Sequence, residues 1–341
     1  MRRKIILSII LLLSLSSLLY AEIELYSTYY QNIFVNKFED DWFYGDQNLL
    51  YLKLRKPFQG DYDLKCNLSF SVSNLLGSEN SAEFDIQRLN FRTGLDRLEF
   101  TVGRFLPEYK YTNFFQPVNI FLGPQFLQNE LVFTGIDGIS IKRYMGMLSS
   151  VQYVSLPKFQ MEQSSHYLNF TSNVAGFDFS LLAHYKGDTY TKSTGFGFKG
   201  DLVVGLSHET LVKFENTDSL RFTSATGIDY SFDKFMIMLE YLYNENMLSF
   251  ATEGLFALQD THYLYLNGFY FESLGKTIGL SGITNLRDSS TLLSAYYMNE
   301  IFNGVTVSVG VYAPVSEDEM AEFHRSRVGD ITLNAYLRAK F

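Results

Sequence analysis

Apolar and polar side chains alternate with a period of two along most of the chain, and no comparable 3.6-residue period runs through any long window. Between Tyr62 and Asn74 one face reads Tyr62, Leu64, Cys66, Leu68, Phe70, Val72, and the other Asp63, Lys65, Asn67, Ser69, Ser71, Ser73. The same division separates Phe177, Phe179, Leu181, Ala183 and Tyr185 from Asp178, Ser180, Leu182, His184 and Lys186. It recurs over 220–232 and over 305–312. The pattern predicts strands near 22–34, 47–55, 62–75, 83–93, 97–105, 133–144, 148–156, 165–173, 177–186, 191–200, 203–214, 219–232, 235–245, 262–273, 277–286, 290–301, 304–313 and 330–341. That is about 18, and 16 would survive merging a weak pair.

Alternate connections are tight and turn-like, among them Gly94-Leu95-Asp96, Val174-Ala175-Gly176, Asp233-Lys234 and Asn303-Gly304. Those between them are longer, notably 106–132, 246–261 and 314–329, and all six prolines fall in connections, where no ladder hydrogen bond is lost. One rim of short turns and one of long loops describe an all-β, antiparallel up-and-down transmembrane barrel with a long third external loop. A soluble sandwich also alternates. Here, however, every strand has one apolar face and there are no helices to cover it, so lipid is the natural cover. Aromatic residues near strand ends (Tyr26, Tyr29, Tyr30, Trp42, Phe43, Tyr109, Tyr111, Tyr185, Tyr190, Tyr241, Tyr243, Tyr263, Tyr265) fit girdles at head-group level. Spanning strands of ~9–11 residues each fit comfortably within the chain.

The first 21 residues read as an address. Met1-Arg2-Arg3-Lys4 is basic, Ile5 to Leu19 is apolar apart from serines, and Ala21 precedes the acidic Glu22-Ile23-Glu24. This is the layout of a cleaved secretory signal peptide, 1–21, leaving 22–341 as one barrel domain. The run of about 15 apolar residues is short of the ~20 that a membrane-spanning helix needs.

Composition narrows the chemistry. The formal charge is −9, without Lys/Arg clusters, which disfavours nucleic acid. The single Cys66 excludes an internal disulfide and an all-cysteine metal site, and the five His lack metal-ligand spacing, so no cofactor or metal is expected. The aromatic count is the outlier, with 31 Phe and 24 Tyr.

Resemblance enters at the C-terminus. Ile331, Leu333, Ala335, Leu337, Ala339 and Phe341 alternate with Thr332, Asn334, Tyr336, Arg338 and Lys340. A terminal Phe on such a strand resembles the C-terminal signal of bacterial outer-membrane β-barrel proteins. The resemblance implies insertion into outer-membrane lipid by the barrel assembly machinery, with Tyr336, Leu337, Ala339 and Phe341 as the signal.

Charges at strand centres should point inward, because an ion facing hydrocarbon is costly. Arg88, Arg92, Glu99, Lys142, Asp178, Lys186 and Glu240 are the leading lumen candidates, with Lys53, Arg55, Lys65, Lys213, Arg338, Glu24, Asp63, Glu209 and Asp229 beside them. They either meet solutes or simply solvate the interior and pair with one another. The connection from Leu106 to Glu130 is too apolar to stand in water. From Gly103-Arg104 through Gln116-Pro117-Val118-Asn119 to Gly135-Ile136-Asp137-Gly138 it resembles the inward-folded loop region of porin-like families. The resemblance implies that Tyr109, Tyr111, Phe114, Phe115, Gln116 and Asn119 line or plug a constriction; the competing reading is a loop capping the barrel outside.

Ser316 and Glu319 form a capping-box pattern that predicts a short surface helix at 317–325. An outer-membrane hydrolase is the rival class, but Ser165-His166 and Ser207-His208 are sequence neighbours, whose side chains point to opposite faces of a strand. A non-conducting barrel with a structural, adhesin or lipid-handling role is the other alternative. The leading expectation is a channel for passive or weakly selective diffusion of small hydrophilic solutes. A homo-oligomer is compatible with the apolar faces, which would meet lipid or another subunit equally well.

Overall fold

The computed structural model of the protein describes residues 24–38, 41–57, 62–75, 81–107, 111–118, 135–214, 220–245, 258–273, 275–316, 322–323 and 330–340. Eighteen strands follow one another: β1 (Glu24–Phe38), β2 (Asp41–Pro57), β3 (Tyr62–Leu75), β4 (Ser81–Leu95), β5 (Leu98–Phe105), β6 (Ile136–Tyr144), β7 (Ser149–Leu156), β8 (Ser165–Val174), β9 (Phe177–Lys186), β10 (Thr191–Asp201), β11 (Gly205–Phe214), β12 (Leu220–Phe232), β13 (Phe235–Asn244), β14 (His262–Ser273), β15 (Lys276–Asn285), β16 (Thr291–Phe302), β17 (Val305–Val315) and β18 (Ile331–Lys340). Each pairs antiparallel with its sequence neighbours, and β18 pairs with β1 from Thr28↔Lys340 to Lys37↔Ile331. Among the described residues the sheet therefore closes on itself, β18 against β1, with no strand left at an edge.

The short-turn rim carries the connections 96–97, 175–176, 233–234 and 303–304, each of two residues. Ala175-Gly176 has both residues at positive φ (53° and 86°), the mirror-image turn whose twist matches that of the flanking strands. The opposite rim carries 106–135, 245–261 and 316–330. The largest difference from expectation lies between the first two strands. The connection expected at 35–46 shrinks to 39–40, because β1 and β2 continue pairing through Asn36↔Phe43 and Lys37↔Trp42. Polar residues there read as a loop, yet a ladder near the rim accepts them since its backbone groups remain paired.

The two faces are chemically distinct. Leu181 (55% exposed), Leu266 (53%), Leu280 (63%) and Val309 (52%) mark an outward apolar surface. Aromatic rings and histidines cluster on it near the long-loop rim: Tyr153, His166 and Tyr185 on β7–β9, and Tyr241, Tyr243 and His262 on β13–β14. Tyr263 and Tyr265, grouped with the girdle in the sequence, instead face inward and are buried. Tyr30 is buried as well, 5.5 Å from Tyr336 across the closing pair, and Tyr111 also lies inside the barrel. The reason is parity: Tyr263 lies opposite Leu242 and Tyr265 opposite Glu240, both on the inner face. Aromatic content at a strand end does not reveal which face carries it.

Candidate functional site

Two inner-face rungs prepare one side of the wall. In register around the barrel, Asp178, Lys199, Ser207, Gly227, Glu240, Tyr265, Ile283 and Leu292 form the first. Two positions along the strands, Thr171, Ser180, Gly197, Glu209, Ala225, Leu242, Tyr263 and Asn285 form the second. Glu209 on β11 and Glu240 on β13 are wholly buried, a costly place for a carboxyl group unless donors surround it.

The donors come from the connection between β5 and β6. Glu209 accepts the backbone N–H of Tyr111, of Thr112 (2.8 Å) and of Val118 (2.9 Å). Glu240 accepts those of Asn113 (2.6 Å), Phe114 (2.9 and 3.0 Å) and Phe115 (3.1 Å). Five successive main-chain N–H groups thus converge on two carboxylates, a concave anion-holding arrangement. The turn closes itself: Gln116, at φ 46°, donates its N–H to Thr112 Oγ1 (3.0 Å) and its side-chain amide to the Asn113 carbonyl (3.2 Å). Lys199 Nζ donates to Asn113 Oδ1 at 2.9 Å, and Asn113 Nδ2 reaches Asp229 at 3.4 Å. A Cβ on Gly197 would lie 2.6 Å from the Tyr111 ring, so glycine is what lets that ring approach the wall.

Apolar packing joins two further loops to this segment. Phe114 stacks on Tyr265 (centroids 3.8 Å apart) and meets Phe115 edge-on (4.9 Å). These rings form one buried cluster with Leu242, Tyr263, Ile283 and Leu292, and with Leu258 and Phe323 from the loops 245–261 and 316–330. Glu322 ties the last loop down, accepting the Tyr263 hydroxyl (2.7 Å), Asn285 Nδ2 (2.8 Å) and the Gln259 N–H (2.7 Å). Burial holds the Glu322 carboxyl above its ordinary range, against these stabilising donors. Most of the helix expected at 317–325 lies outside the described residues; within them 322–323 is a turn, with Phe323 buried rather than on the surface.

At the base of the segment Gly103 has φ 117°, and a Cβ there would approach the Leu89 carbonyl oxygen to 2.3 Å. Gly103→Ala should therefore lower stability by roughly 1–3 kcal/mol, read from the urea midpoint of heat-modifiable migration; an unchanged midpoint would mean that the strain is relieved locally. Next to it Arg104 grips Asp137 with two bonds of 2.8 and 2.9 Å.

The remaining sequence candidates divide clearly. Tyr111, Phe114, Phe115 and Gln116 come together in the pinned segment. Tyr109 and Asn119, like terminal Phe341, lie outside the described residues. Arg88, Arg92, Glu99, Lys142, Asp178, Lys186 and Glu240 all share the inner face by register. Arg92 pairs with Glu99 at 2.5 Å, Tyr144 donates to the same carboxylate (2.9 Å), and Lys142 lies 4.9 Å from the Tyr144 ring. Asn173 donates to Asp178 (2.8 Å), and Lys186 approaches Asp188 (3.7 Å). A polar hollow of about 360 Å³ opens beside Tyr111, lined by Lys142, Ser150, Gln152, Asn169 and Asp178. Ser165 and Ser207 are buried on the inner face while His166 and His208 bond to Tyr153 and Thr226 on the outer one, so neither pair can act as nucleophile and base. Lys199 was not singled out by sequence. Its signal was present in the inner-facing glycines 195, 197 and 227 around two glutamates, where a smooth polar wall invites a docked segment.

No protein-family model and no curated protein sequence matches the chain. Its fold, however, has clear counterparts among solved structures. Outer membrane protein OprD of Pseudomonas aeruginosa matches with a TM-score of 0.65 at 8% identity, over 94% of this chain and 95% of that one. OccD3 (OpdP) of the same organism gives 0.61 at 12% identity, over 93% and 91%. Acinetobacter baumannii OccAB2 gives 0.63 at 10%, over 94% and 98%. Closed 18-strand architecture and these counterparts together define a porin-like β-barrel with the fold of bacterial outer-membrane proteins. At such low identity the likeness extends to fold alone.

Proposed function

We propose that this protein is an outer-membrane channel through which small hydrophilic solutes diffuse passively and with weak selectivity. In this reading residues 1–21 direct export and are removed, and the terminal strand is recognised by the barrel assembly machinery. The observation that carries the proposal is the segment 111–118 held by six main-chain hydrogen bonds against the inner wall. An 18-strand barrel is too wide for wall side chains to fill, so a segment fixed across it sets the aperture. Both charge signs line the wall, and several charges pair with one another, which favours sieving by size over strong ion selection.

The apolar cluster uniting three loops favours a second reading, a plugged barrel with a structural role. Planar bilayers separate the two. Refolded protein should give discrete conductance steps; a silent bilayer containing folded protein would establish the plugged barrel instead.

A further inference from the structure

The outward wall carries a hollow that the channel reading does not use. It has a volume of about 640 Å³ and is bordered by consecutive triplets on three adjacent strands: 166–168 on β8, 183–185 on β9 and 192–194 on β10, with Tyr153 and Phe214 at its flanks. Register identifies the outward members. Ala183 lies opposite Leu168 and Thr194, and Tyr185 lies opposite His166 and Lys192. The small Ala183 thus forms a floor between Leu168 and Thr194, open toward the surroundings of the barrel, with Phe214 beside Lys192.

Chemistry changes along this groove. Around Ala183 it is apolar. Toward the long-loop rim come Tyr153, His166 and Tyr185, whose rings lie nearly parallel at 6.0 and 6.5 Å. Tyr153 Oη and His166 Nδ1 share a hydrogen bond of 2.7 Å, which leaves the imidazole Nε2 directed away from that bond. Lys192 is exposed beside them, and its ammonium has no carboxylate partner among the described residues. An outward cation at girdle level, above an apolar trough, is complementary to one kind of occupant: an acyl chain below and an anionic head group above.

We propose that the groove over Ala183 is a docking site for an anionic phospholipid, its chain along Leu168 and Ala183 and its phosphate at Lys192 and His166. This rests on the barrel standing in a membrane, and not on whether its lumen conducts. The test is native mass spectrometry of the purified protein in detergent, incubated with equimolar phosphatidylglycerol and phosphatidylcholine of matched chains. Phosphatidylglycerol should be retained in preference, and Lys192→Ala should lower its adduct roughly five-fold, the effect of one basic side chain at an anionic lipid surface. Ala183→Phe, which fills the trough, should remove the adduct while Lys192 remains. Heat-modifiable migration shows that each variant is folded, and Thr194→Phe replaces Ala183→Phe if the latter is not. Equal retention of the two lipids, adducts unchanged in the variants, or a protein dimer without lipid would each overturn the proposal. Conductance plays no part in the readout, so failure here and failure of the channel reading are separate results.

Discussion

Replacing both Glu209 and Glu240 by alanine is expected to free the segment 111–118 from the wall and raise single-channel conductance by roughly two-fold or more, since the segment sets the narrowest section. The size of the effect follows from what remains behind. Six main-chain N–H groups lose their acceptors in one step. Each buried donor left unsatisfied costs about 1–3 kcal/mol, so the docked position becomes untenable while the barrel ladder is untouched. Glutamine at both positions should have a smaller effect, since its carbonyl oxygen still accepts. Deleting residues 109–121 sets the upper limit, and the double alanine variant should approach it. If deletion leaves conductance unchanged, the segment does not define the aperture.

The second large effect concerns the outer surface. Val309 and Ser308 are adjacent on β17, but Val309 lies opposite Ala335 and faces out, whereas Ser308 lies opposite Tyr336 and faces in. Arginine at 309 should destabilise the folded barrel in liposomes by about 2–4 kcal/mol, the cost of a cation against hydrocarbon near mid-depth. Arginine at 308 should cost far less, because the inner face is polar. Urea titration of both variants reads the difference. Equal effects would mean that the two faces do not meet different solvents.

Much of this architecture could be read from the chain. Alternation over 177–186 and 305–312 gave strands whose bounds differ little from those observed, because a two-residue period leaves no freedom in which face is apolar. Sequence also singled out the connection after β5 by its excess of apolar residues. What it could not supply was distance. Glu209 and Glu240 are separated from the residues they hold by about a hundred positions or more, and an isolated inner-face glutamate looks the same whether it meets water or a backbone. Tyr263 and Tyr265 failed for a related reason: their rings suit either a head-group layer or a packed interior, and only the parity of β14 against β13 decides. Lys199 escaped notice because the inward-facing glycines on its strand mark room for a docked segment but not the asparagine that a remote loop brings to it.

Both glutamates grip the inserted segment by its main chain and not by its side chains. Every residue except proline offers that same hydrogen, and the one proline in the segment, Pro117, falls between donors at 116 and 118. Such an anchorage is indifferent to what projects from the tether. Exchanging Tyr111, which packs on Gly197, or Asn113, which meets Lys199 and Asp229, would therefore forfeit those contacts and alter which molecules are admitted, yet leave in place the main-chain mooring to the two glutamates.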